Sequence, residues 1–583
     1  MSVILEAKDV SKTFRRGREV THALTSFSLT AEAGEILCLL GPDGSGKTTF
    51  LRLLTGLLQP DSGTIRVLGY DTVADAGKVQ SSIGYMPQKF GLYEDLTVME
   101  NMRLYAEMRA VPAEIRSERF HTLLEMTDLT KFTERLAGRL SGGMKQKLAL
   151  ACTLVSDPKL ILLDEPTVGV DPLSRRELWQ LLKHFSVERK ITILVSTAYM
   201  DEAMYGSRAL ILYQGEILRS APPGEIADSA AKYTFDVPVP QGTKPRRLRK
   251  YLCDLPATIH ASVQGETVRW VIDPGSKVFH ALRELSPKPG KPCFEDGFMT
   301  TLFFHLHPDG ADTDGIGEPF NPAQQDTSKN ETIVEVKDLV RTFGSFVAVD
   351  HVSFQVRAGE IFGLLGPNGA GKSTTFRMLC GLLPLNGGSL EVAGVDLHTA
   401  SAKARRKLGY VAQKFSLYRD LSTRENLNFF AGAYGLRGAH RKQRIEWAIQ
   451  NFQLEKYIDL PAGELPGGYK QRLSMACGLM HEPQILFLDE PTSGADPWAR
   501  RDFWQRIGAL ADSGVTIIIT THFLDEAEFC DSMVIMMAGR VLAKGTPAEI
   551  RKLAPAPADG STPSLQDAFI AVTEKERKGG AAI

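Results

Sequence analysis

Two glycine-rich segments of the sequence contain the residue types needed to hold a phosphate group. Residues 41–49 read GPDGSGKTT and residues 366–374 read GPNGAGKST, and each follows a strand-like segment and precedes a helical one. The spacing G-x-x-x-x-G-K-[ST] lets backbone N–H groups surround a phosphate while the lysine neutralises its oxygens. A chance glycine-rich turn is the alternative for one segment, and the second copy argues against it. The predicted phosphate-binding residues are Gly41, Pro42, Gly44, Ser45, Gly46, Lys47, Thr48 and Thr49, and Gly366, Pro367, Asn368, Gly369, Ala370, Gly371, Lys372, Ser373 and Thr374.

Each half of the chain also has an apolar run that ends in two acids. LILLDEP at 160–166 ends in Asp164-Glu165, and ILFLDEP at 485–491 ends in Asp489-Glu490. Two adjacent carboxylates at a strand end allow the first to hold Mg²⁺ and the second to orient or deprotonate a water molecule. We therefore predict Asp164 and Asp489 as metal ligands, with the hydroxyl groups of Thr48 and Ser373, and Glu165 and Glu490 as catalytic residues. A solvated strand end, the alternative, fits poorly with so apolar a run.

These motifs belong to one module that occurs twice. The pairs Lys47 and Lys372, Gln88 and Gln413, Gly142 and Gly467, Asp164 and Asp489, and Asp171 and Asp496 are each 325 residues apart. A repeat of this length indicates a duplicated domain.

The elements that position the motifs follow a strand, loop, helix order, which is typical of an α/β phosphate-binding fold. GEILCLL and GEIFGLL are the predicted strands before the two loops, and helical periodicity from residue 95 to 126 predicts a helical subdomain. After module one, a strand, a helix, a hairpin turned at Gln264-Gly265 and a second helix predict a small α+β domain, of ferredoxin-like type. The predicted boundaries are 3–228 for module one, 231–305 for the accessory domain with a closing helix, 306–331 for a flexible linker, 333–550 for module two, and 551–583 for a spacer and C-terminal helix.

Composition narrows the functional classes. The 583 residues carry 68 Lys and Arg against 69 Asp and Glu, a net charge of −1, which disfavours a nucleic-acid-coating protein. No apolar stretch approaches the length of a membrane helix, and the first residues lack the features of a signal peptide. Seven widely spaced cysteines without C-x-x-C predict buried thiols with no disulfide partner.

A third motif carries the family resemblance. LSGGMKQK at 140–147, about twenty residues before the LDEP strand, resembles the signature loop of ATP-binding cassette (ABC) ATPases. The resemblance covers nearly all of both modules and implies P-loop NTPase domains that bind ATP and Mg²⁺. It implies that Phe14 and Phe343 stack on adenine, that Gln88 and Gln413 contact Mg²⁺ and ATP, and that 169–171 and 494–496 form the D-loops. The signature residues it implies are Ser141, Gly142, Gly143, Gly467 and Gly468, and the switch histidine is His522. Taken alone, Phe14 and Phe343 could be core aromatics, and Gln88 and Gln413 ordinary loop amides.

Module one departs from the family pattern at Ala198, where the family has the switch histidine, and module two departs at Pro466, where it has the signature serine. The resemblance implies a head-to-tail pair of modules, in which each ATP lies between the glycine-rich loop of one and the signature loop of the other. Both departures then fall in the site built on Lys47 and Glu165. We therefore hypothesise one hydrolytic site and one that binds ATP but turns over slowly. The alternative is that Pro466 only begins a helix and Ala198 is neutral drift.

The segments around Gln88 and Gln413 resemble ABC-2-type exporter ATPases, and the tandem layout resembles the ATPase subunit of multidrug efflux exporters. This implies ATP-driven efflux of drug-like or cationic substrates through two integral-membrane ABC-2-type permease subunits. It also implies a cytoplasmic chain, peripheral on the cytoplasmic face of the inner or plasma membrane. The alternatives are a twin-cassette ATPase that acts on ribosomes and a twin-cassette importer ATPase. DNA-repair cassette ATPases insert coiled coils or zinc modules that this sequence lacks, and no nucleic-acid partner is expected.

One local basic cluster remains outside these motifs. Residues 244–250 read KPRRLRK, with cations at Lys244, Arg246, Arg247, Arg249 and Lys250. A solvated helix face is the favoured interpretation, and contact with anionic lipid or a membrane partner is the alternative.

Overall fold

A computed structural model describes most of the chain. The described residues are 3–16, 19–89, 91–282, 285–308, 331–397, 406–413, 415–492, 497–555 and 563–580. Most of the predicted linker at 306–331, part of the predicted spacer after 551, and the predicted D-loop at 494–496 lie outside these ranges.

In its described residues, module one has ten strands in two sheets. The strands are β1 (Val3–Arg16), β2 (Glu19–Glu32), β3 (Ile36–Leu40), β4 (Ser62–Val67), β5 (Tyr70–Asp71), β6 (Ile83–Met86), β7 (Leu160–Asp164), β8 (Thr192–Thr197), β9 (Arg208–Tyr213) and β10 (Glu216–Ala221). One sheet is antiparallel with order β2-β1-β4-β5, and the other has order β10-β9-β3-β8-β7-β6 and is parallel except at the β10 edge. Every residue of β3, β7 and β8 is buried, as expected for central strands covered on both faces.

The helices of module one connect these strands. They are α1 (Lys47–Leu54), α2 (Ala76–Ser82), α3 (Val98–Met108), α4 (Ala113–Met126), α5 (Gly142–Leu154), α6 (Pro172–Arg189) and α7 (Pro223–Asp228), with short 3-10 helices at Thr130–Phe132, Ala137–Arg139, Met200–Tyr205 and Ala231–Tyr233. Helix α3 begins with a capping box between Thr97 and Glu100, which satisfies backbone N–H groups at its first turn. Helices α3, α4 and α5 form the predicted helical subdomain.

The accessory domain has the predicted α+β character. Its elements are β11 (Thr234–Pro238), α8 (Pro245–Asp254), β12 (Thr258–Gln264), β13 (Thr267–Ile272), α9 (Lys277–Ala281) and β14 (Lys288–Pro289), followed by α10 (Phe294–Leu306). The βαββαβ order and the sheet order β12-β13-β11-β14 are those of a ferredoxin-like fold. Trp270 is fully buried, and its indole N–H donates to Thr258 Oγ1 at 2.9 Å. The polar group of this core residue therefore has a hydrogen-bond partner.

Module two repeats the strand plan of module one. Its strands are β15 (Thr332–Phe343), β16 (Phe346–Arg357), β17 (Ile361–Leu365), β18 (Gly387–Val392), β19 (Val395–Asp396), β20 (Leu408–Val411), β21 (Ile485–Asp489), β22 (Thr516–Thr521), β23 (Ser532–Met537) and β24 (Arg540–Gly545). The sheet orders β16-β15-β18-β19 and β20-β21-β22-β17-β23-β24 match those of module one strand for strand. The duplication read from the sequence is therefore a duplication of topology.

The helices of module two are α11 (Lys372–Leu379), α12 (Thr423–Ala433), α13 (Gly438–Asn451), α14 (Gly467–Gly478), α15 (Pro497–Asp512), α16 (Leu524–Ala527), α17 (Pro547–Arg551) and α18 (Leu565–Gly580), with 3-10 helices at Glu455–Tyr457 and Ala462–Glu464. Helix α12 begins with a capping box between Ser422 and Glu425, the counterpart of the one at α3. Helix α15 is two residues shorter than α6. From the start of this helix to β22, module two is one residue shorter than module one, so the offset between the modules falls from 325 to 324, as Thr516 follows Thr192 by 324 residues.

The chain divides into two compact units. One holds module one with part of the accessory domain, and the other holds module two together with accessory segments Pro238–Leu252 and Ser262–Val268. Among the described residues, no helix combines the length and apolar character that a bilayer crossing requires. All seven cysteines are free thiols.

Candidate functional site

The first glycine-rich loop joins β3 to α1 and is closed by its own lysine. Lys47 Nζ donates to the carbonyl oxygens of Gly41 at 2.7 Å and Pro42 at 3.0 Å. Gly46 ends the loop with φ of 104°, and a Cβ there would lie 2.4 Å from the Ala23 carbonyl oxygen. Only glycine fits this position without a backbone shift.

The second loop, between β17 and α11, has the same geometry. Lys372 Nζ donates to Gly366 O at 2.7 Å and to Pro367 O at 3.0 Å, and Gly371 has φ of 93°. Both lysines begin a helix, so a phosphate held in either loop would meet an ammonium group and the positive end of that helix. The two loops are equivalent as phosphate sites.

In module one, strand β7 brings its two acids to the loop. Asp164 Oδ1 accepts hydrogen bonds from Thr48 Oγ1 at 3.1 Å and from Ser196 Oγ at 2.6 Å. Glu165 Oε2 accepts one from Gln88 Nε2 at 2.6 Å. Residues predicted from separate motifs are thus in direct contact, Thr48 with Asp164 and Gln88 with Glu165. Phe14 and Ser141 lie on other elements.

In module two, strand β21 makes two of the three corresponding contacts and one additional contact. Asp489 Oδ1 accepts from Thr520 Oγ1 at 2.6 Å, and Glu490 Oε2 accepts from Gln413 Nε2 at 2.8 Å. The buried ring of His522 places Nδ1 3.1 Å from Glu490 Oε2. Ser373, the second residue of α11, is exposed. The predicted catalytic residues Glu490 and His522 are therefore in close contact within one module.

Sequence reasoning missed two hydroxyl residues that hold the acid pairs in place. Ser196 Oγ and Thr520 Oγ1 each donate to the aspartate of the pair and accept, at 3.0 Å, the backbone N–H of the glutamate. The glutamates have φ of 50° and 43°, a conformation that costs on the order of 1–3 kcal/mol in a non-glycine residue and that these contacts stabilise. A hydroxyl at the same position of β8 and β22 was the available signal.

The two glutamates differ in their proton affinity. Burial raises the pKa of Glu165, and the nearby charge of Lys47 offsets this only in part. Burial acts in the same direction on Glu490, but the hydrogen bond and charge of His522, with Lys372 and Gln413, hold its pKa below the ordinary value. The carboxylate of Glu490 therefore binds a proton less readily than that of Glu165 does.

This difference starts at the switch position. Ala198 is buried and has no polar group, whereas His522 occupies the same place after β22. The surrounding switch segment is otherwise alike, because Thr197 Oγ1 donates to Glu202 at 2.6 Å and Thr521 Oγ1 donates to Glu526 at 2.7 Å. The replacement thus removes a functional group without altering the local scaffold.

The signature segments also differ by one side chain. Ser141 is the N-cap of α5 and its Oγ accepts the Met144 N–H at 3.3 Å, while Pro466 is the N-cap of α14 with no side-chain bond. Their ψ angles are 162° and 152°, so the backbone is the same. Gly142 and Gly143 open α5, and Gly467 and Gly468 open α14. Proline therefore removes a hydroxyl and an N–H while preserving the helix start.

The predicted adenine-stacking residues lie near strand ends with their rings accessible. Phe14 is 42% exposed and Phe343 is 47% exposed, which excludes the alternative of core aromatics. Lys12 Nζ lies 5.8 Å from the first ring, and the Arg341 guanidinium lies 4.8 Å from the second. An exposed aromatic face can stack on a planar base.

The basic cluster corrects a sequence prediction. Arg246 and Arg249, expected on a solvated helix face, are buried on α8. Their partners belong to module two and are 266 or more residues further along the chain, which is why periodicity could not identify them.

Comparisons with known proteins agree with this geometry. A family profile described as ABC transporter matches residues 24–168 and 349–493. The chain is 47% identical over 555 residues to the probable multidrug ABC transporter ATP-binding protein YbhF of Escherichia coli strain K12, covering 94% of each chain. It is 40% identical over 221 residues to the Nod factor export ATP-binding protein I of Sinorhizobium fredii, covering 38% of this chain and 64% of that one.

A solved ATP-binding subunit of an ABC transporter is 33% identical, covers 42% of this chain and 100% of its own, and superposes with a TM-score of 0.38. The full-length similarity, the two profile matches and the two phosphate-binding loops with their acid pairs agree. The chain belongs to the ABC transporter ATP-binding proteins and is an ATPase with two such P-loop domains in tandem.

Proposed function

We propose that this chain is the ATP-hydrolysing subunit of an exporter, and that it drives efflux of drug-like or cationic substrates through two separate integral-membrane permease subunits. The observation that carries the proposal is 47% identity, over 94% of both chains, to a relative named as a multidrug transporter ATP-binding protein. The chain would lie on the cytoplasmic face of the membrane that holds the permeases.

The residues of module two support a complete hydrolytic reaction. Lys372 and the loop amides hold the β- and γ-phosphates, and Glu490 accepts a proton from water. The water oxygen bonds to the γ-phosphorus as the bond to the bridging oxygen breaks, giving ADP and phosphate. His522, 3.1 Å from Glu490, contributes a ring N–H beside the reacting phosphate.

The residues present also fit Mg²⁺, which prefers oxygen ligands. Asp164 with Thr48, and Asp489 with Ser373, supply carboxylate and hydroxyl oxygens, and Gln88 and Gln413 supply amide oxygens. Among the described residues there is no cluster of three or more His, Cys, Asp or Glu, so the remaining ligands would be phosphate oxygens and water. When bound, Mg²⁺ neutralises part of the phosphate charge.

We further propose that the modules work as a head-to-tail pair with unequal sites. In that arrangement the loop of Lys372 is completed by Ser141 of module one, and the loop of Lys47 by Pro466 of module two. The first site has every group named above. The second lacks the signature hydroxyl and, through Ala198, the switch imidazole, so it would retain ATP and hydrolyse it slowly.

A surface near the second Gln-containing loop suits a membrane partner. Tyr418 and Phe429 are 50% and 45% exposed, with ring centroids 4.7 Å apart. The Asn426 side chain fixes this turn by hydrogen bonds to the Tyr418 backbone. Exposed aromatic pairs are enriched at protein interfaces, and Tyr93, the counterpart of Tyr418, is 52% exposed.

The test uses the tagged chain expressed in its own host and purified from mild-detergent extracts of the membrane fraction. We expect two integral-membrane proteins to co-purify in fixed ratio, and fewer of them with Tyr418→Asp. In everted vesicles, ATP should drive uptake of a lipophilic cation such as ethidium, and Glu490→Gln should stop it. Co-purification of ribosomes or nucleic acid, or ATP-driven movement in the import direction, would contradict the proposal.

A further inference from the structure

The buried basic cluster of α8 contacts a short segment of module two that directly follows the switch. We define this shoulder as residues 528–531, which continue from α16 and end at β23. Five residues, 523–527, separate the shoulder from His522, the histidine that contacts Glu490. Three separate contacts reach the shoulder from the accessory segments that belong to the same compact unit.

The first contact is an ion pair at Asp531. Arg246 Nη1 donates to Asp531 Oδ2 at 2.8 Å, and Arg246 Nη2 lies 3.6 Å from Asp512 Oδ1. The side chains of Arg246 and Asp531 are only 7% and 14% exposed. Removing one partner of an ion pair this buried strongly destabilises a protein, because the other charge is left unpaired away from water. Such a pair therefore constrains the positions of its two side chains more than a surface pair does.

The second and third contacts flank the first. The Arg249 guanidinium lies 4.5 Å from the ring centroid of Phe529, which stacks on Trp504 of α15 at 4.9 Å. At the β12–β13 turn, the backbone N–H of Gly265 donates to Glu528, whose carboxylate also pairs with Arg551. Helix and hairpin of the accessory domain thus hold both ends of the shoulder.

The shoulder is linked to the hydrolytic site on two sides. Asp531 Oδ2 accepts the backbone N–H of Ile361 at 3.0 Å, at the start of the strand that leads to the second glycine-rich loop. On the other side, Glu526 of α16 accepts hydrogen bonds from Thr521, the residue before the switch histidine, and from Thr492. A displacement of the shoulder would therefore reach His522 through one short helix.

Module one makes one of the same backbone contacts at this place, without the charges of the shoulder. The counterparts of Glu528, Phe529 and Asp531, offset by 324, are Met204, Tyr205 and Ser207, and that of Asp512, offset by 325, is Val187. Ser207 Oγ accepts the Ile36 N–H at 3.1 Å, which is the same backbone contact that Asp531 makes. A hydroxyl is sufficient for that contact, so the charge at 531 serves Arg246.

We propose that Arg246 is a positioning residue for hydrolysis in module two: through Asp531 and the shoulder it holds His522 against Glu490. Because module one lacks the acids at the corresponding positions, these charged contacts act on module two. The inference rests on the proposed role of His522 in hydrolysis. It goes beyond that role by making the rate of module two depend on a domain that contains none of its nucleotide-binding residues.

The test is a double-mutant cycle on the ATPase rate of the full chain, with Arg246→Gln, His522→Ala and the combination. Arg246→Gln should lower kcat roughly 5- to 20-fold, the size expected for coupling through packed contacts, with KM for ATP within about twofold of the parent. In the His522→Ala background it should lower kcat no further, because both changes act through one side chain. Arg246→Lys, which keeps the charge, should recover part of the loss.

Two controls make the outcome decisive. Lys288→Gln removes an exposed cation from the same domain and should leave kcat and the thermal midpoint unchanged. Asp531→Asn keeps an oxygen for Ile361 N–H and should reproduce the Arg246→Gln effect. Equal fractional losses from Arg246→Gln with and without His522, or a lower thermal midpoint with unchanged kcat, would overturn the inference. If His522→Ala itself has no effect, the proposed reaction fails instead.

Discussion

The two modules share a fold, a strand order and the same lysine contacts in their phosphate-binding loops, yet they differ at the switch position that follows β8 and β22. Lys47 and Lys372 make the same two carbonyl contacts at the same distances. Glu490, in contrast, has an imidazole beside it where Glu165 has the methyl group of Ala198. The comparison teaches that nucleotide binding and hydrolysis can diverge separately, because they depend on different side chains of one scaffold.

The largest expected effect is at the two glutamates. Glu490→Gln removes the proton acceptor of the complete site and should lower the ATPase rate by about 10²- to 10⁴-fold. Glu165→Gln should lower it less than about threefold, since that site contributes little turnover under the same proposal. Steady-state phosphate release from the two matched variants checks this. Comparable losses from both substitutions would remove the asymmetry.

The switch position should give the next largest effect. His522→Ala copies module one into module two and should lower kcat by about 10- to 100-fold, as expected for loss of a group acting on the transition state. The reverse change, Ala198→His, should leave the parental rate within about twofold while Pro466 is present. The measurement is the ATPase rate of the two variants, normalised to the amount of folded protein, which compares the switch position of the two modules. A large gain from Ala198→His alone would mean that the signature proline is harmless.

The pH dependence should differ in a defined direction. Glu490 works as a carboxylate, so kcat falls when the pH drops through its pKa, which His522 holds below the ordinary value. In His522→Ala the burial that raises the pKa remains and the hydrogen bond that lowers it is lost. The acid limb of the kcat profile should therefore move to higher pH. An acid limb unchanged in that variant would show that His522 does not set the proton affinity of Glu490.

The smallest effect is expected at the signature proline. Pro466→Ser restores a side-chain N-cap of the kind Ser141 provides, which typically stabilises a helix by about 0.5–2 kcal/mol. The thermal midpoint should rise slightly and the parental ATPase rate should stay within about twofold. Combined with Ala198→His in a Glu490→Gln chain, the same change should raise the residual rate. If the residual rate of that triple variant does not increase, the slow turnover proposed for the site of Lys47 must have a cause other than Ala198 and Pro466.

Much of this was predictable because the relevant signals are local. The loops, the acid pairs and the strands before them were predicted from short motifs whose residues have a defined role in phosphate and metal binding. The occurrence of each motif in both halves of the chain supported these predictions. The hairpin of the accessory domain was also predicted, with its turn at Gln264-Gly265, one residue before the observed turn at residues 265–266.

What the sequence did not reveal depends on contacts between distant residues. Arg246 looks like part of an ordinary charged helix until Asp531, 285 positions later, is brought against it. Ser196 and Thr520 look like any strand hydroxyls until the acid pair lies beside them. A comparison of acidic positions between the modules could have pointed to the surface that contacts α8, because Asp512, Glu528 and Asp531 have no acidic counterpart in module one.

The central claim is that hydrolysis occurs at the loop of module two. It is tested most directly by trapping nucleotide with vanadate during turnover of 8-azido-ATP, crosslinking by light, and mapping the labelled peptides by mass spectrometry. Vanadate retains the nucleotide only where hydrolysis has taken place. The account predicts vanadate-dependent label on module two, near Phe343, and none above background near Phe14. Equal vanadate-dependent labelling of both modules would contradict it.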